Sequence, residues 1–592
     1  MITRVEIKNF KRIENFDFQF TPFDLLSGYN NCGKSSVLQA LAIWQFCIEE
    51  FLRDKRKGST GKQVVLPNFT AVPVPEFNLL WYKKINIKNP AQANQERVLI
   101  DIKTHWRHTD GNEFAFGIKM RYTGPQSAYV IPANGWEELY DLNEKNVLPK
   151  IVYVPPFSGL ETKEQWRDEG PVKGQIGRAQ PGSVLRNLLL RVEHSPLGNT
   201  SDDRKANIDK YKTKSENWAE IESIIRRWFS VEVLLPQYTF GVSENIICEY
   251  RQDKKNYDII SGGSGFHQIL TLLAFLYGYN PTTVLYDEPD AHLHVNLQRE
   301  VLDYFKEVGK KRGIQFIIAT HAEEFIKGVD TNRLISMLQP EKPIREATTA
   351  DVLSAMAIVT NIEITNTRNS PFILYVEGED DERIIRRWST TLAKTDDLKK
   401  FFIKTMHGGN KQLMKADADN HYSALKKIVP NLKRLMVFDF DNDIDSFHPD
   451  ENNPVLFEWT RKNIENYLLI PDIWIKAVRS AYDITVPIAN APLFFNPINN
   501  AINEFFSSEG LNLPKGRNWQ KLDTHAIKSV DGKKLLFEAN NSLFNKLRSI
   551  DNNLSITREG VASMMTEQEM HQDILHLFNK IETIILSDDM EY

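Results

Sequence analysis

The sequence has few cysteines, no long apolar run and no strong net charge. Only 3 of its 592 residues are cysteines, and Cys32, Cys47 and Cys248 fit neither a disulfide framework nor metal-ligand spacing. There is no run of about 18 apolar residues, so we expect no membrane span. The first residues also lack the apolar core of a signal peptide. These features are typical of a protein of the reducing cytoplasm.

The two signs of charge nearly balance. The chain has 73 Lys and Arg against 78 Asp and Glu, a formal net charge of −5, which excludes a globally basic nucleic-acid coat. Contact with DNA or RNA would need local basic patches or metal ions that bridge carboxylates to phosphates. Hydrophobic residues make up 41% of the chain and charged residues 26%, which is the usage of folded globular proteins. At this length we expect more than one hydrophobic core.

A glycine-rich turn near the start of the chain fits a phosphate-binding pattern. Residues 28 to 35 satisfy G-x-x-x-x-G-K-[ST], between a predicted strand that ends at Ser27 and a predicted helix from Ser35 to Glu50. Backbone N–H groups of such a loop surround phosphates, Lys34 supplies positive charge, and Ser35 offers a hydroxyl to Mg²⁺. The predicted nucleotide-binding residues of this loop are Gly28, Asn30, Asn31, Gly33, Lys34, Ser35 and Ser36.

A later strand ends in two acidic residues. Thr283 to Tyr286 is an apolar run of the buried, parallel-sheet kind, followed directly by Asp287 and Glu288. We predict that Asp287 holds the Mg²⁺ shell and that Glu288 orients or deprotonates the attacking water. The alternative is a strand that simply ends in solvated acids.

Two more segments fit nucleotide chemistry. Ser261 and Gly263 belong to a Ser-Gly-Gly turn before a helix, which could form a second phosphate cradle. The strand Gln315 to Ala319 leads into Thr320 and His321, and His321 could reach a γ-phosphate. Taken singly, such a turn and such a histidine are more often structural, but the order of all four segments favours one nucleotide site.

This order of motifs resembles the ABC-type ATPase heads, especially their SMC-like and OLD-like branch. The resemblance matches the loop at Gly28 to Walker A, the Ser261 turn to the signature motif, Asp287-Glu288 to Walker B and His321 to the switch histidine. It implies an α/β lobe with a mixed sheet and a P-loop, with ATP and Mg²⁺ as cofactors. It also implies a dimer, because the signature of one head completes the Walker A site of another. Ser264 departs from the pattern, since many members have Gln there.

Acidic residues also follow two strands predicted in the second half of the chain. The strand Phe372 to Val376 leads into Glu377 and Asp381, and the strand Leu435 to Phe438 leads into Asp439 and Asp441. Carboxyl ends of parallel strands meet at one edge of a sheet, and carboxylates there suit Mg²⁺ or Mn²⁺ better than zinc. The alternative is acidic loop ends that stay solvated. The predicted ligands of this site are Glu377, Asp381, Asp439 and Asp441.

This second pattern resembles the Toprim domain of topoisomerases, primases and OLD-family nucleases. The resemblance adds Glu465 as a further metal ligand and Lys533 as the basic residue of the site, with Lys534 as its competitor. Two metal ions would polarise the scissile phosphate and generate hydroxide, and a lysine would neutralise developing charge. The predicted catalytic residues are Glu288, His321, Glu377, Asp381, Asp439, Asp441 and Lys533. The predicted metal ligands are Ser35, Asp287, Glu377, Asp381, Asp439, Asp441 and Glu465.

The predicted domains follow the motifs. We expect the ATPase lobe at 1–154 and 231–345, a connector at 346–370, and at 371–592 a Toprim α/β lobe with a parallel sheet and a helical C-terminal region. The resemblance to the OLD family implies that the helical segment 155–230 is a dimerisation insert within the ATPase lobe. Resemblance to OLD-family endonucleases implies an ATP-regulated, metal-dependent enzyme that cuts DNA as a homodimer or larger homo-oligomer. It further implies bacterial anti-phage defence, alone or with a partner protein or a retron RNA/DNA. Two alternatives stay open: an ATPase that gates a partner effector through an inactive Toprim lobe, and a topoisomerase- or primase-like activity.

Overall fold

The computed structural model describes residues 1–53, 60–88, 96–193, 215–339, 343–345, 348–440, 454–482, 491–509, 511 and 518–587. The chain divides into a first unit, Met1–Met356, and a second unit, Ala357–Tyr592, each with its own hydrophobic core. This division falls within the segment 346–370 that the sequence predicts as a connector. No helix in the described ranges is both long enough and apolar enough to cross a membrane.

In its described ranges, the first unit contains two six-stranded sheets, a three-stranded sheet and a two-stranded ribbon. Its strands are β1 (Ile2–Phe10), β2 (Ile13–Gln19), β3 (Phe23–Ser27), β4 (Lys62–Val65), β5 (Ile87–Lys88), β6 (Glu96–Arg97), β7 (Ile100–Arg107), β8 (Glu113–Gly124), β9 (Ser127–Pro132), β10 (Ile151–Val154), β11 (Glu232–Val233), β12 (Glu249–Gln252), β13 (Lys255–Asp258), β14 (Thr283–Asp287), β15 (Gln315–Thr320), β16 (Leu334–Ser336) and β17 (Ile344–Arg345). One large sheet is antiparallel, in the order β2-β1-β7-β8-β9-β4.

The other large sheet has the order β10-β14-β15-β3-β16-β17. Its first five strands are parallel and β17 is antiparallel, so the sheet is mixed, as predicted. In its register Ser27 pairs with Thr320, and Asp287 pairs with Ala319. The segments after β3, β14 and β15 therefore leave the sheet at the same edge, where ligands of α/β proteins usually bind.

Helices surround this mixed sheet. They are α1 (Lys34–Arg53), α2 (Trp136–Glu144), α3 (Glu169–Gly177), α4 (Leu185–Glu193), α5 (Glu216–Phe229), α6 (Ser264–Tyr279), α7 (Val295–Arg312) and α8 (Glu323–Lys327). Helix α1 contacts strands of both large sheets, and 14 of its 20 residues are therefore buried.

The predicted insert, 155–230, includes helices that belong to the core of the first unit. Leu188 of α4 and Trp218 of α5 are fully buried in the same cluster as Leu270 of α6. Their apolar faces are thus used inside the unit. Residues 194–214 lie outside the described ranges, and the dimerisation role of the insert stays a prediction.

The second unit is built on a four-stranded parallel sheet in the order β19-β18-β20-β21. The strands are β18 (Phe372–Val376), β19 (Phe401–Thr405), β20 (Lys433–Phe438) and β21 (Leu456–Glu458). Every residue of β18 is buried, as expected for a central parallel strand covered on both faces. The carboxyl ends of β18 and β20 therefore lie side by side.

The first of the remaining helices lies at the boundary between the units, and the others belong to the second unit. They are α9 (Thr349–Ile358), α10 (Asn361–Asn369), α11 (Glu379–Thr391), α12 (Thr395–Lys399), α13 (Lys411–Lys426), α14 (Pro471–Tyr482), α15 (Ala491–Ser508), α16 (His525–Ser529), α17 (Leu543–Ile550), α18 (Arg558–Ala562) and α19 (Gln572–Leu586). Near the end of the chain, the buried face of α19 includes Ile574, Leu577 and Ile581.

Candidate functional site

The segment Gly28–Ser35, called here the phosphate loop, connects β3 to α1. Asn31 and Gly33 have positive φ angles of 64° and 102°, which a glycine and an asparagine adopt more readily than other residues. A Cβ atom on Gly28 would lie 2.8 Å from Cys32 Sγ and 3.2 Å from the carbonyl carbon of Met337. Glycine at position 28 therefore allows the loop to pack against the chain that follows β16.

Lys34 is the first residue of α1 and is buried. Its Nζ donates hydrogen bonds to the backbone carbonyls of Gly28 and Tyr29, at 2.8 and 3.0 Å. These bonds fold the loop around the ammonium group. The arrangement places positive charge and the start of a helix at one point, as binding of a phosphate requires.

Ser35 and Asp287 meet at the edge of the mixed sheet. Ser35 Oγ donates to Asp287 Oδ1 at 2.8 Å, and the Tyr153 hydroxyl donates to Asp287 Oδ2 at 2.9 Å. Burial raises the pKa of Asp287 to about 6, while the bonds from Ser35 and Tyr153 oppose the rise. A hydroxyl and a carboxylate oxygen in contact are a donor pair that suits Mg²⁺. Tyr153, which lies in β10, has no counterpart among the predicted residues.

Glu288 and His321 form a second pair at this edge. Glu288 Oε1 lies 3.4 Å from His321 Nδ1. The hydrogen bond between them lowers the pKa of Glu288 and raises the pKa of His321. Glu288 has a φ of 53°, and its backbone N–H donates to the Ala319 carbonyl at 2.8 Å. The backbone thus turns the Glu288 side chain away from the line of β14.

The phosphate loop and the Glu288–His321 pair line one cavity. Glu288 and His321 line it together with Arg12, which comes from the turn between β1 and β2 and belongs to none of the sequence motifs. The loop residues that line it are Asn30, Asn31, Cys32, Gly33, Lys34, Ser35 and Ser36. The structure therefore brings most of the predicted nucleotide residues of the first unit to one surface.

The predicted signature turn lies elsewhere on the first unit. Gly263 is the N-cap of α6, is exposed, and has open space where a Cβ would be. Ser261 ends the 3₁₀ turn just before it and is also exposed. The Gln268 side-chain amide donates to the Pro289 carbonyl at 3.3 Å, so the helix after the turn contacts the segment after Asp287-Glu288. Neither Ser261 nor Gly263 lines the cavity of its own chain.

In the second unit, three predicted acids follow β18 and β20. The Asp439 backbone N–H donates to Glu377 Oε1 at 2.8 Å, so these two residues are adjacent. Asp439 Oδ1 accepts from the Ile464 N–H at 3.0 Å. Asp381 lies in the first turn of α11, and its Oδ2 accepts from the Gly378 N–H at 2.7 Å. Asp441 lies outside the described residues, and its role stays a prediction.

Glu465 lies in the 3₁₀ turn Ile464–Leu468 and is buried. Together with Glu377, Asp381 and Asp439 it forms what we call the acidic edge. Burial, followed by the charges of Glu465 and Glu377, raises the pKa of Asp381 to about 7. Burial also raises the pKa of Glu465, against the charges of Arg558 and Lys533. These carboxylates interact with one another, and a divalent cation would relieve their repulsion.

The neighbouring cations differ in what they contact. Lys533 acts electrostatically on Asp381 and Glu465, and its Nζ lies 3.8 Å from Glu538 Oε1. Lys534 instead lies 3.5 Å from Asp531 Oδ2 and is 71% exposed. Of the two lysines, Lys533 is therefore the one whose charge acts on the acidic edge.

Arg558, which the sequence did not single out, binds the acidic edge directly. Its Nε donates to Glu465 Oε1 at 2.9 Å, and its other nitrogens contact Asp380 and Glu538 at 2.9 and 3.0 Å. Within the described residues, no three or more His, Cys, Asp or Glu side chains are placed closely enough to hold a metal ion. By ligand type the acids fit a hard divalent cation, with Arg558 holding one of them.

Comparison with known proteins agrees with the nucleotide site. A model of the AAA ATPase domain matches residues 1–114 and 186–326. The chain is 20% identical over 404 residues to the endonuclease GajA of Bacillus cereus, covering 65% of this chain and 67% of that protein. It is also 20% identical over 346 residues to an ATP/GTP phosphatase of Helicobacter pylori, covering 56% of this chain and 88% of that protein.

Among solved structures, the chain is similar to an Smc head bound to the C-terminal winged-helix domain of ScpA. The TM-score is 0.35 at 17% identity, covering 57% of this chain and 93% of that one. The SMC head domain of Thermotoga maritima gives a TM-score of 0.29 at 13% identity, covering 57% and 94%. From the family match, the first unit contains an ATPase domain, and the chain is distantly similar to an endonuclease.

Proposed function

We propose that the protein is an ATP-regulated, divalent-metal-dependent DNA endonuclease of the OLD family. Its cutting site is the acidic edge, a Toprim-type site, and the ATPase domain regulates it. The observation that carries the proposal is the contact between Glu377 and Asp439 at the ends of β18 and β20, beside Asp381. The similarity to an endonuclease supports the same assignment.

In the ATPase domain, the phosphate loop and Lys34 bind the phosphates of ATP. Ser35 and Asp287 would hold Mg²⁺, which neutralises charge on the reacting phosphate. Glu288 accepts a proton from the attacking water or orients it, and His321 holds Glu288 in place through their contact. The lowered pKa of Glu288 keeps this carboxylate ionised and able to act as an acceptor.

At the acidic edge, Glu377, Asp381 and Asp439 would hold divalent cations, with Asp441 and Glu465 as further ligands. Such ions polarise a scissile phosphate and supply a nucleophile at neutral pH. Backbone N–H groups of Gly378 and Ile464 fix the directions of the Asp381 and Asp439 oxygens. Lys533 neutralises negative charge that develops on the phosphate.

The exposed Ser261-Gly263 turn supports assembly into a homodimer or larger homo-oligomer. Both residues are exposed before α6, and neither lines the cavity of its own chain. In the arrangement implied by the ABC resemblance, this turn of one copy covers the ATP bound to another. A biological role in anti-phage defence, with a partner protein or a retron RNA/DNA, belongs to the same proposal.

A nicking assay on supercoiled plasmid tests the cutting function. Purified protein is incubated with Mn²⁺ or Mg²⁺, with and without ATP, and the relaxed product is quantified. We expect Glu377→Ala to lower the nicking rate at least roughly 100-fold, because it removes a direct ligand of the reacting metal. Glu379→Ala is the matched control, since Glu379 lies in the same segment but is exposed and pairs with Arg383. Full nicking by Glu377→Ala would contradict the assignment.

A second candidate function is an ATPase that gates a partner effector while the acidic edge stays inactive. It is favoured by the bond of Arg558 to Glu465 and by the lack of a ready three-ligand set among the described residues. Wild-type protein that hydrolyses ATP but neither binds Mn²⁺ at the acidic edge nor nicks plasmid would support it. A covalent protein–DNA adduct in the same assay would instead indicate a topoisomerase-like reaction.

A further inference from the structure

A buried ion pair lies at the same sheet edge as the acidic edge but outside the predicted site. Lys411 begins α13 and Glu458 ends β21, and both side chains are only 6% exposed. The Lys411 ammonium group donates to Glu458 Oε1. Two charges are stable in such a place only when each satisfies the other and further hydrogen bonds complete the set.

The further hydrogen bond of Lys411 leads to the acidic edge. Its Nζ donates to the backbone carbonyl of Phe440 at 2.8 Å. Phe440 lies between Asp439 and Asp441, the two acids of the D-x-D pattern. Glu458 is the register partner of Phe438, the residue before Asp439. The pair therefore holds the chain on both sides of Asp439.

The position of Lys411 is itself fixed by the turn before α13. Gly408 has a φ of 151°, and a Cβ there would lie 2.8 Å from the Met414 backbone nitrogen. The Asn410 side chain caps the helix by accepting from the Leu413 N–H at 2.9 Å. Because the start of α13 is constrained in this way, the Lys411 side chain can fix the position of the Phe440 backbone that it binds.

We propose that Lys411 and Glu458 form a positioning pair that sets the direction of the Phe438–Phe440 backbone, and with it the position of Asp439, for binding a divalent cation. Lys411 is too buried to reach a DNA phosphate, so it acts through the acids. The inference rests on the proposed function of the acidic edge. It also explains why Lys411 is buried near the acidic edge although its ion-pair partner, Glu458, is not a predicted metal ligand.

The test separates positioning from stability. Lys411→Met alone removes the Lys411 ammonium group from the buried Glu458 carboxylate and is expected to lower the thermal unfolding midpoint. In Lys411→Met/Glu458→Gln both charges of the pair are removed together, so we expect the midpoint to return close to that of the wild type. The hydrogen bond from Lys411 to the Phe440 carbonyl is still absent in this double variant. We therefore expect Mn²⁺ affinity at the acidic edge to stay about 10-fold or more below that of the wild type.

Mn²⁺ binding is measured on the full chain without nucleotide, from the free-ion signal in electron paramagnetic resonance. All proteins carry Asp287→Asn, which removes the predicted metal site of the ATPase domain. Lys415→Met is the matched control, because Lys415 lies one turn along the same helix in a surface pair with Asp419. We expect this control to bind Mn²⁺ as its parent does.

Different results separate this inference from the proposed function. A stable double variant that binds Mn²⁺ as tightly as its parent overturns the positioning role, whatever the nicking assay gives. Weakened binding in the double variant supports the role even where wild-type protein fails to nick plasmid, a result that contradicts only the cutting function. A parent protein that binds no Mn²⁺ overturns both.

Discussion

The two units place carboxylates at the same kind of sheet edge but support them with different partners. In the first unit, Asp287 accepts from two hydroxyls, those of Ser35 and Tyr153. In the second unit, Asp381 and Asp439 accept from backbone N–H groups. The first unit thus uses side chains that can rotate, and the second uses groups fixed by the fold.

This difference corresponds to the different ligand that we propose for each edge. A hydroxyl can turn its oxygen toward an incoming cation and become a ligand, so Ser35 can exchange its bond to Asp287 for one to Mg²⁺. The buried Lys34 provides the charge that attracts an anion. The acidic edge has several interacting acids, one with a pKa of about 7, and in the proposed function it binds cations. Four substitutions would test this comparison.

The largest expected effect is in the ATPase domain. Glu288→Gln should lower the rate of ATP hydrolysis about 1000-fold, because a neutral amide cannot accept the proton of the attacking water. ATP binding should persist, since Lys34 and the phosphate loop are unchanged. Phosphate release and binding of a fluorescent ATP analogue measure the two quantities. The control is Glu323→Gln, an exposed residue that pairs with Lys327. Normal ATP hydrolysis by Glu288→Gln would contradict the role proposed for Glu288.

The next effect compares the two lysines of the second unit. Lys533→Ala should lower the rate of plasmid nicking roughly 100-fold, since its charge acts on Asp381 and Glu465. Lys534→Ala serves as its control and should stay within about twofold of wild type, because an exposed surface pair contributes little. A larger effect of Lys534→Ala would show that Lys534, and not Lys533, supplies the positive charge at the acidic edge.

A smaller effect is expected when one hydroxyl donor is removed. Tyr153→Phe should raise the Mg²⁺ concentration for half-maximal ATP hydrolysis about tenfold, because Asp287 loses a group that fixes its orientation. Tyr304→Phe is the control, as its hydroxyl bonds to Tyr277 in the core of the unit. An unchanged Mg²⁺ requirement would mean that Ser35 alone orients Asp287.

The smallest effect concerns the stability of metal-free protein. The pKa of Asp381 in the fold is about 7, above its ordinary value of 3.8, so the ionised form is disfavoured by folding. Stability is lost as pH rises through this range, and Asp381→Asn should avoid the loss. With chelator present, we expect its unfolding midpoint to exceed that of wild type by a few degrees at pH 8 and to match it near pH 4. Asp396→Asn, an exposed control, should have the same unfolding midpoint as wild type at both pH values. Equal midpoints for Asp381→Asn and wild type at pH 8 would contradict the mutual repulsion of the acids.

The local patterns of the sequence predict the elements that carry the motifs. The strand before the phosphate loop ends at Ser27 and the helix begins at Lys34, within one residue of the prediction. Asp381 lies in the first turn of α11, which begins at Glu379. Apolar periodicity appears only from Ile384, whereas the acidic first turn is stabilised by the helix dipole.

Residues that reach a site from distant parts of the chain leave no such local signal. Tyr153 lies 134 residues from Asp287, and Arg558 lies 93 residues from Glu465. Their partners depend on which strands are neighbours, and spacing along the chain does not encode that. A strand also needs a partner to form: β12 covers only Glu249–Gln252, and Ile247 just before it forms an isolated bridge.

The helix α10 determines where a separable second unit would have to start. Glu363 in this helix is 4% exposed, and its carboxylate accepts from Lys404 Nζ at 2.6 Å and lies 3.4 Å from His421 Nε2. Thr360 completes the cap of the helix, donating its backbone N–H to the same carboxylate at 2.7 Å. A recombinant fragment that began at Phe372, where the sheet starts, would therefore leave the Lys404 ammonium and the buried His421 ring without their anion. A fragment for crystallisation or metal titration should begin ahead of Thr360.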